Sequence, residues 1–109
     1  MIAISLLATS FAASCRASGE QVLVKGFRFQ PKAITVTTGT EVRWRQEDNT
    51  VHTLTSGVPG HKTGLFERRG FLQGDEFSFT FSKAGEFAYF CDIHKSMRGV
   101  VSVGGEGRD

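Results

Sequence analysis

Phe77-Ser78-Phe79-Thr80-Phe81-Ser82 places a large aromatic side chain at every second position, and Glu41-Val42-Arg43-Trp44-Arg45 repeats the pattern with charges between the apolar residues. A period of two sends neighbouring side chains to opposite faces of a strand, so each run has one face to bury and one for water. Similar signals recur along the chain. Val22 and Val24 begin a strand that Phe27 and Phe29 continue toward a break at Pro31, and Ile34-Thr35-Val36-Thr37 forms the next. The turn Lys83-Ala84-Gly85-Glu86 leads into Phe87-Ala88-Tyr89-Phe90, and a last strand is predicted over about Arg98 to Val103. No apolar helix pattern of useful length follows residue 20, while thirteen Gly against two Pro supply tight turns. About seven or eight short strands with alternating faces predict an all-β domain, an antiparallel Greek-key sandwich of two packed sheets. A chain of 109 residues is one domain. It buries only about 60 to 65% of its unfolded surface, so the core must be dense. Ten Phe, one Trp and one Tyr can make it so. A formal net charge of +2 with 22% charged residues is an ordinary soluble surface and gives no reason to expect nucleic acid as a partner.

The first fourteen residues carry no charge, and the apolar run Ile2, Ala3, Ile4, Leu6, Leu7, Ala8 ends in Ala12, Ala13 and Ser14. Such a run is shorter than the roughly 18 to 20 apolar residues of a membrane span and matches the core and cleavage region of a secretory leader. No basic residue precedes it. Residues 1–17 are therefore expected to be a signal peptide or a lipoprotein leader, residues 20–104 the folded domain, and residues 105–109 a flexible polar tail. Cleavage after Ser14 or Ala17 would release a soluble protein, whereas cleavage before Cys15 would leave a lipidated cysteine and a membrane attachment. Both predict export, to the bacterial periplasm or the outer face of the membrane. With Cys15 in the leader, Cys91 has no partner for a structural disulfide. A free thiol in an oxidising compartment is a liability unless a metal occupies it.

Phe90-Cys91-Asp92-Ile93-His94-Lys95-Ser96-Met97 supplies a reason for that thiol. Taken singly, Cys91 reads as a small buried hydrophobe, His94 as a surface loop residue and Met97 as core filler. Together they place a thiolate, an imidazole and a thioether at three-residue intervals. Copper accepts two imidazoles and a thiolate in a trigonal site with a weak axial thioether, a geometry suited to electron transfer. His52, in Thr50-Val51-His52-Thr53-Leu54, can supply the second imidazole, while His61, beside Lys62 and Gly64 in a polar loop, is expected to be solvated.

The stretch from Val42-Arg43-Trp44 through Asp48, then His52-Thr53-Leu54-Thr55, the Phe-rich strand and Cys91-x-x-His94-x-x-Met97 resembles the cupredoxin family of type 1 blue copper proteins. Its plastocyanin and amicyanin branch is most similar, over roughly residues 20–103. The resemblance implies an eight-stranded Greek-key sandwich holding one copper ion, with His52, Cys91 and His94 in the trigonal plane and Met97 axial. It also implies that the Thr53 N–H reaches the Cys91 sulfur, that the Thr53 hydroxyl anchors Asp92, and that electrons leave through His94, its ring edge set in an apolar patch. Three departures stand out. Ile93 occupies the place where relatives commonly have Pro, Gln46 one where Asn is frequent, and Asp92 adds a negative charge that would favour Cu(II) if it pointed inward.

The function expected is a monomeric electron carrier, not an enzyme, shuttling single electrons between a donor and an acceptor protein through a transient interface. Storage or delivery of copper is the alternative. No base and nucleophile pair is evident, three His are too few for a multicopper oxidase, and a dinuclear copper centre would need a second Cys in the loop. Lys95 and Arg98 flank the ligand loop, and with Lys62, Arg68 and Arg69 they predict an acidic partner face.

Overall fold

The alternating runs become strands in the computed structural model, which describes residues 19–105. Nine strands follow in order: β1 (Gly19–Val24), β2 (Phe29–Gln30), β3 (Ala33–Thr37), β4 (Thr40–Gln46), β5 (His52–Val58), β6 (His61–Phe71), β7 (Glu76–Phe81), β8 (Gly85–Phe90) and β9 (Arg98–Gly104). They form a four-stranded sheet, β2-β1-β4-β7, and a five-stranded sheet, β3-β9-β8-β5-β6. The chain crosses between the sheets at the β2–β3, β3–β4, β4–β5, β6–β7 and β7–β8 connections, as Greek-key connectivity requires. The leader expected at 1–17, and all but the first residue of the tail expected at 105–109, lie outside the described residues.

Three details differ from the sequence expectation. The run from Val22 to Phe29 is two strands, because Gly26 and Phe27 both take positive φ (66° and 57°) and fold β2 back on β1. Residues 61–71, including the segment read as a polar loop around His61, form the longest strand; His61 itself is exposed. The sandwich is also mixed, with β1 parallel to β4 and β3 parallel to β9. Parallel neighbours need a crossover, and here the passage through the opposite sheet provides it.

Between the sheets lies an aromatic core. Trp44, fully buried on β4, meets Tyr89 of β8 edge-on at 5.3 Å and Phe66 of β6 at 5.5 Å, while Phe29 of β2 packs on Tyr89 at 4.7 Å. Each such ring contributes on the order of 2 kcal/mol through burial. Phe77 and Phe79 are only half-buried because β7 is an edge strand, and Phe66 reaches over from the opposite sheet to cover them. Gly99 on β9 makes room for this packing, since a Cβ there would collide with the Tyr89 ring.

Loops gather at one end of the sandwich. β1, β4, β6 and β8 finish there, and β2, β5, β7 and β9 begin there. Gln46 ties these loops together although it is fully buried. Its buried amide donates to the carbonyls of Thr50 (2.6 Å) and Phe71 (3.0 Å) and accepts from the Asp48 N–H (2.5 Å). Every polar atom of that side chain is thus satisfied, which makes its burial tolerable.

Candidate metal centre

Pairing of β5 with β8 brings together residues nearly forty positions apart. Thr55 faces Phe90 in that register, so two residues further on Thr53 comes level with Asp92. There the Asp92 N–H donates to the Thr53 hydroxyl at 2.7 Å, and the Thr53 N–H points at the Cys91 sulfur at 3.4 Å. His94, from the loop after β8, aims its own N–H at the same sulfur at 3.4 Å. Two backbone donors directed at one sulfur suit an anionic acceptor, a thiolate rather than a thiol.

His52 Nδ1 lies 3.7 Å from Cys91 Sγ and His94 Nδ1 lies 3.9 Å from it. All three donor atoms fall within 4.8 Å of one another. His52 and Cys91 are fully buried, and His94 is half-buried. Met97 is 2% exposed and belongs to the same apolar cluster as Cys91, with its N–H donating to the His94 carbonyl at 2.9 Å and its carbonyl accepting from the Cys91 N–H at 3.2 Å. The 91–97 loop, in which Ile93 stands where the family resemblance leads us to expect proline, is therefore laced by its own backbone.

Asp48 is the part of this centre that the sequence reading passed over. Its Oδ2 sits 2.9 Å from His52 Nε2 and also accepts the Phe27 N–H at 2.9 Å, while Oδ1 accepts the Gly26 N–H at 2.8 Å. A carboxylate there accepts a hydrogen bond from Nε2–H, which keeps the proton on Nε2 and leaves the lone pair of Nδ1 turned toward Cys91. Burial alone would push the Asp48 carboxyl up, but the Phe27, His52 and Gly26 hydrogen bonds together outweigh it and hold the group below the usual carboxylate range. The same bonds fix Phe27, whose ring stands edge-on to His52 at 5.2 Å and to His94 at 4.8 Å. Phe27 caps both imidazoles while remaining 48% exposed. The signal for Asp48 was its place four residues before His52; nothing in the sequence marked Phe27.

Asp92 does not bring an uncompensated charge to the sulfur. Its carboxylate lies 3.0 Å from Lys62 Nζ, 3.6 Å from Lys95 Nζ and 3.9 Å from an Arg69 nitrogen. The Lys62 hydrogen bond, working against partial burial and helped by the attraction of Lys62, Lys95 and Arg69, keeps its carboxyl below the usual range. The tilt toward Cu(II) expected from an inward-pointing Asp92 is therefore offset. His61 stands outside the cluster of His52, Cys91 and His94.

A sulfur approached by two backbone N–H groups, one imidazole held by Asp48, a second imidazole and a buried thioether nearby fit copper by the chemistry of the donor set. The comparisons with known proteins agree. A family model described as a cupredoxin-like domain matches residues 1–103. Among solved structures, a purple cupredoxin from Nitrosopumilus maritimus is similar at 26% identity and a TM-score of 0.71, over 78% of this chain and 99% of that one. Amicyanin from Paracoccus versutus is similar at 26% identity and a TM-score of 0.65, over 83% of this chain and 85% of that one. A Cu-containing nitrite reductase from Thermus scotoductus matches at 24% identity and a TM-score of 0.72, but over only 25% of its length against 91% of this chain, and so shares the fold alone.

Proposed function

This chain belongs to the cupredoxin-like domain family, and from that membership we propose that it carries single electrons between redox proteins on one bound copper ion. Copper held there supplies a Cu(I)/Cu(II) couple. The single observation that carries the reading is the convergence of His52 Nδ1, Cys91 Sγ and His94 Nδ1 within 4.8 Å on a framework already hydrogen-bonded into place. These three would form the trigonal plane, with the Met97 thioether as the weak axial donor.

Each residue has a defined task. Thr53 and His94 stabilise the anionic sulfur through their N–H groups, Asp48 orients His52, and Phe27 keeps water from the imidazoles. A frame that is set before the metal arrives changes little when charge changes, which favours fast transfer over turnover of a bound substrate. His94, half-buried at the loop end, is the exit for the electron. Exposed apolar side chains belong to the same loops: Phe27 in the β1–β2 loop, Val51 beside His52, Leu72 after β6 and Ile93 beside His94. They suit a small transient contact with a donor or acceptor.

Copper storage or delivery would ask for ligands open to exchange. Complete burial of His52 and Cys91 weighs against it. Titration of the purified apo-protein with Cu(II) tests the choice. An electron carrier develops an intense charge-transfer band at one copper per chain and gives a reversible voltammogram, whereas a delivery protein gives a colourless form that loses copper to a chelator within minutes. The apolar leader supports work in the bacterial envelope, in the periplasm or attached to the membrane through Cys15. Cell fractionation and mass analysis of the mature N-terminus check both.

A further inference from the structure

The Lys and Arg side chains of the described residues divide into two groups. Lys62, Arg69 and Lys95 lie within 4 Å of Asp92, with Lys62 and Arg69 also on Glu67, and Arg68 is bonded to Asp75 at 3.0 Å. Their charge is largely spent inside the molecule. Arg43 and Arg45 are likewise paired with Glu41, Glu47 and Glu76. Among the described residues, Lys25, Arg28, Lys32, Lys83 and Arg98 form no salt bridge, and of these all but Lys83 stand at one corner beside the metal centre.

Backbone bonds build that corner. The Lys25 N–H donates to the Arg28 carbonyl at 2.9 Å and closes the β1–β2 turn, while the Val100 N–H donates to the Lys32 carbonyl at 2.9 Å and joins the β2–β3 connection to β9. The Arg98 Nε donates to the Lys95 carbonyl at 2.8 Å, so its guanidinium is held at the end of the ligand loop. Arg28, Lys32 and Arg98 line a cavity of about 120 Å³ together with Phe27 and Met97. All four cations are exposed. Asp48, in the neighbouring loop, is turned inward toward Gly26, Phe27 and His52.

We propose that Lys25, Arg28, Lys32 and Arg98 form the docking face of this protein, and that the surface it takes is an acidic face of a redox protein, seated against Phe27. The inference rests on the electron-transfer reading and adds a location to it. Four unpaired cations on one face attract a carboxylate-rich surface across a Debye length of about 10 Å at 0.1 M salt, whereas the Asp92 group presents mostly cancelled charge. A partner seated there touches Phe27, whose ring contacts both imidazoles, so that the same contact guides the approach and shortens the path to the metal.

Voltammetry of the copper-loaded protein on gold coated with a carboxylate-terminated film, as a stand-in for the acidic face, tests the location. Two double variants remove the same charge, Arg28→Gln with Lys32→Gln at the corner and Lys62→Gln with Lys95→Gln around Asp92. The corner pair is expected to lower the electron-transfer rate on the film about tenfold at low salt, and the other pair by less than about twofold, with the difference closing as salt rises. On a hydroxyl-terminated film both pairs should match the parent protein. Equal losses from the two pairs, a larger loss from the Lys62 and Lys95 pair, or rates indifferent to salt would overturn the proposal. A parent protein with no reversible one-electron wave on either film would instead overturn the electron-carrier reading itself, so the two failures are distinct.

Discussion

His52 and His94 face the same sulfur from opposite settings. His52 opens β5, is fully buried, and has its far nitrogen clamped by Asp48 at 2.9 Å. His94 sits in a loop, is half-buried, and among the described residues its far nitrogen has no hydrogen-bond partner. The first imidazole is fixed by the sandwich. The second is positioned by the backbone bonds of residues 91–97 and by the Phe27 ring. An imidazole built into a strand is held permanently, and one on a short laced loop is open to access from outside.

Removing the atom that both imidazoles share should have the largest effect. Cys91→Ser is expected to abolish the intense Cu(II) absorption while the circular dichroism of the apo-protein stays that of a β-sandwich; a retained band would break the ligand assignment altogether. The two imidazoles should then separate under a rescue experiment. In His94→Gly, added free imidazole is expected to restore most of the visible spectrum because the vacated space opens outward, whereas His52→Gly should stay unrescued behind buried walls. Equal rescue of both would erase the distinction drawn here. Met97→Gln should keep one copper per chain and shift the reduction potential downward, as measured by voltammetry, because an amide oxygen stabilises Cu(II) better than a thioether does.

Asp48 gives the finer test. Asp48→Asn is expected to weaken copper affinity by roughly 10- to 100-fold in a chelator competition, by releasing the His52 tautomer. It should also change the acid response of the apo-protein. Because the folded carboxyl lies below its ordinary value, its stabilising contribution is complete above the usual carboxylate range, about pH 4, and is lost as pH falls through the folded value. Denaturant unfolding should therefore show the parent losing stability below about pH 4 more steeply than Asp48→Asn. Parallel profiles would mean that Asp48 holds His52 without contributing to the fold. Smallest of all, Phe27→Ala should leave affinity within a few-fold and quicken access of small anions such as azide to the Cu(II) form, read from the visible spectrum.

Much of this arrangement could be read from residue order. Alternation exposed β4 and β7 because Trp44 and the Phe77–Phe81 run mark their buried faces plainly. β6 escaped because it is an edge strand in which Phe66 and Phe71 alone are buried, leaving charges and glycines to dominate its sequence. β2 escaped because two residues form too short a run to show a period. Gln46 looked like a weakening of the pattern, yet its longer amide ties the β4–β5 loop to the end of β6, a task visible only when the Thr50 and Phe71 carbonyls are in place. The hidden half of the centre, Asp48 and Phe27, comes from separate loops whose meeting no local spacing encodes.

Order along the chain was enough to suggest Cys91, His94 and Met97 as a donor set and to settle the sandwich class, because a three-residue spacing and a two-residue period are local properties. Tertiary structure decided which imidazole would be clamped and which left open, and which cations would be cancelled by carboxylates and which would face outward. Those outcomes depend on distances between segments far apart in sequence, where hydrogen bonds and ion pairs act over a few ångströms and take effect only after folding has set the neighbours.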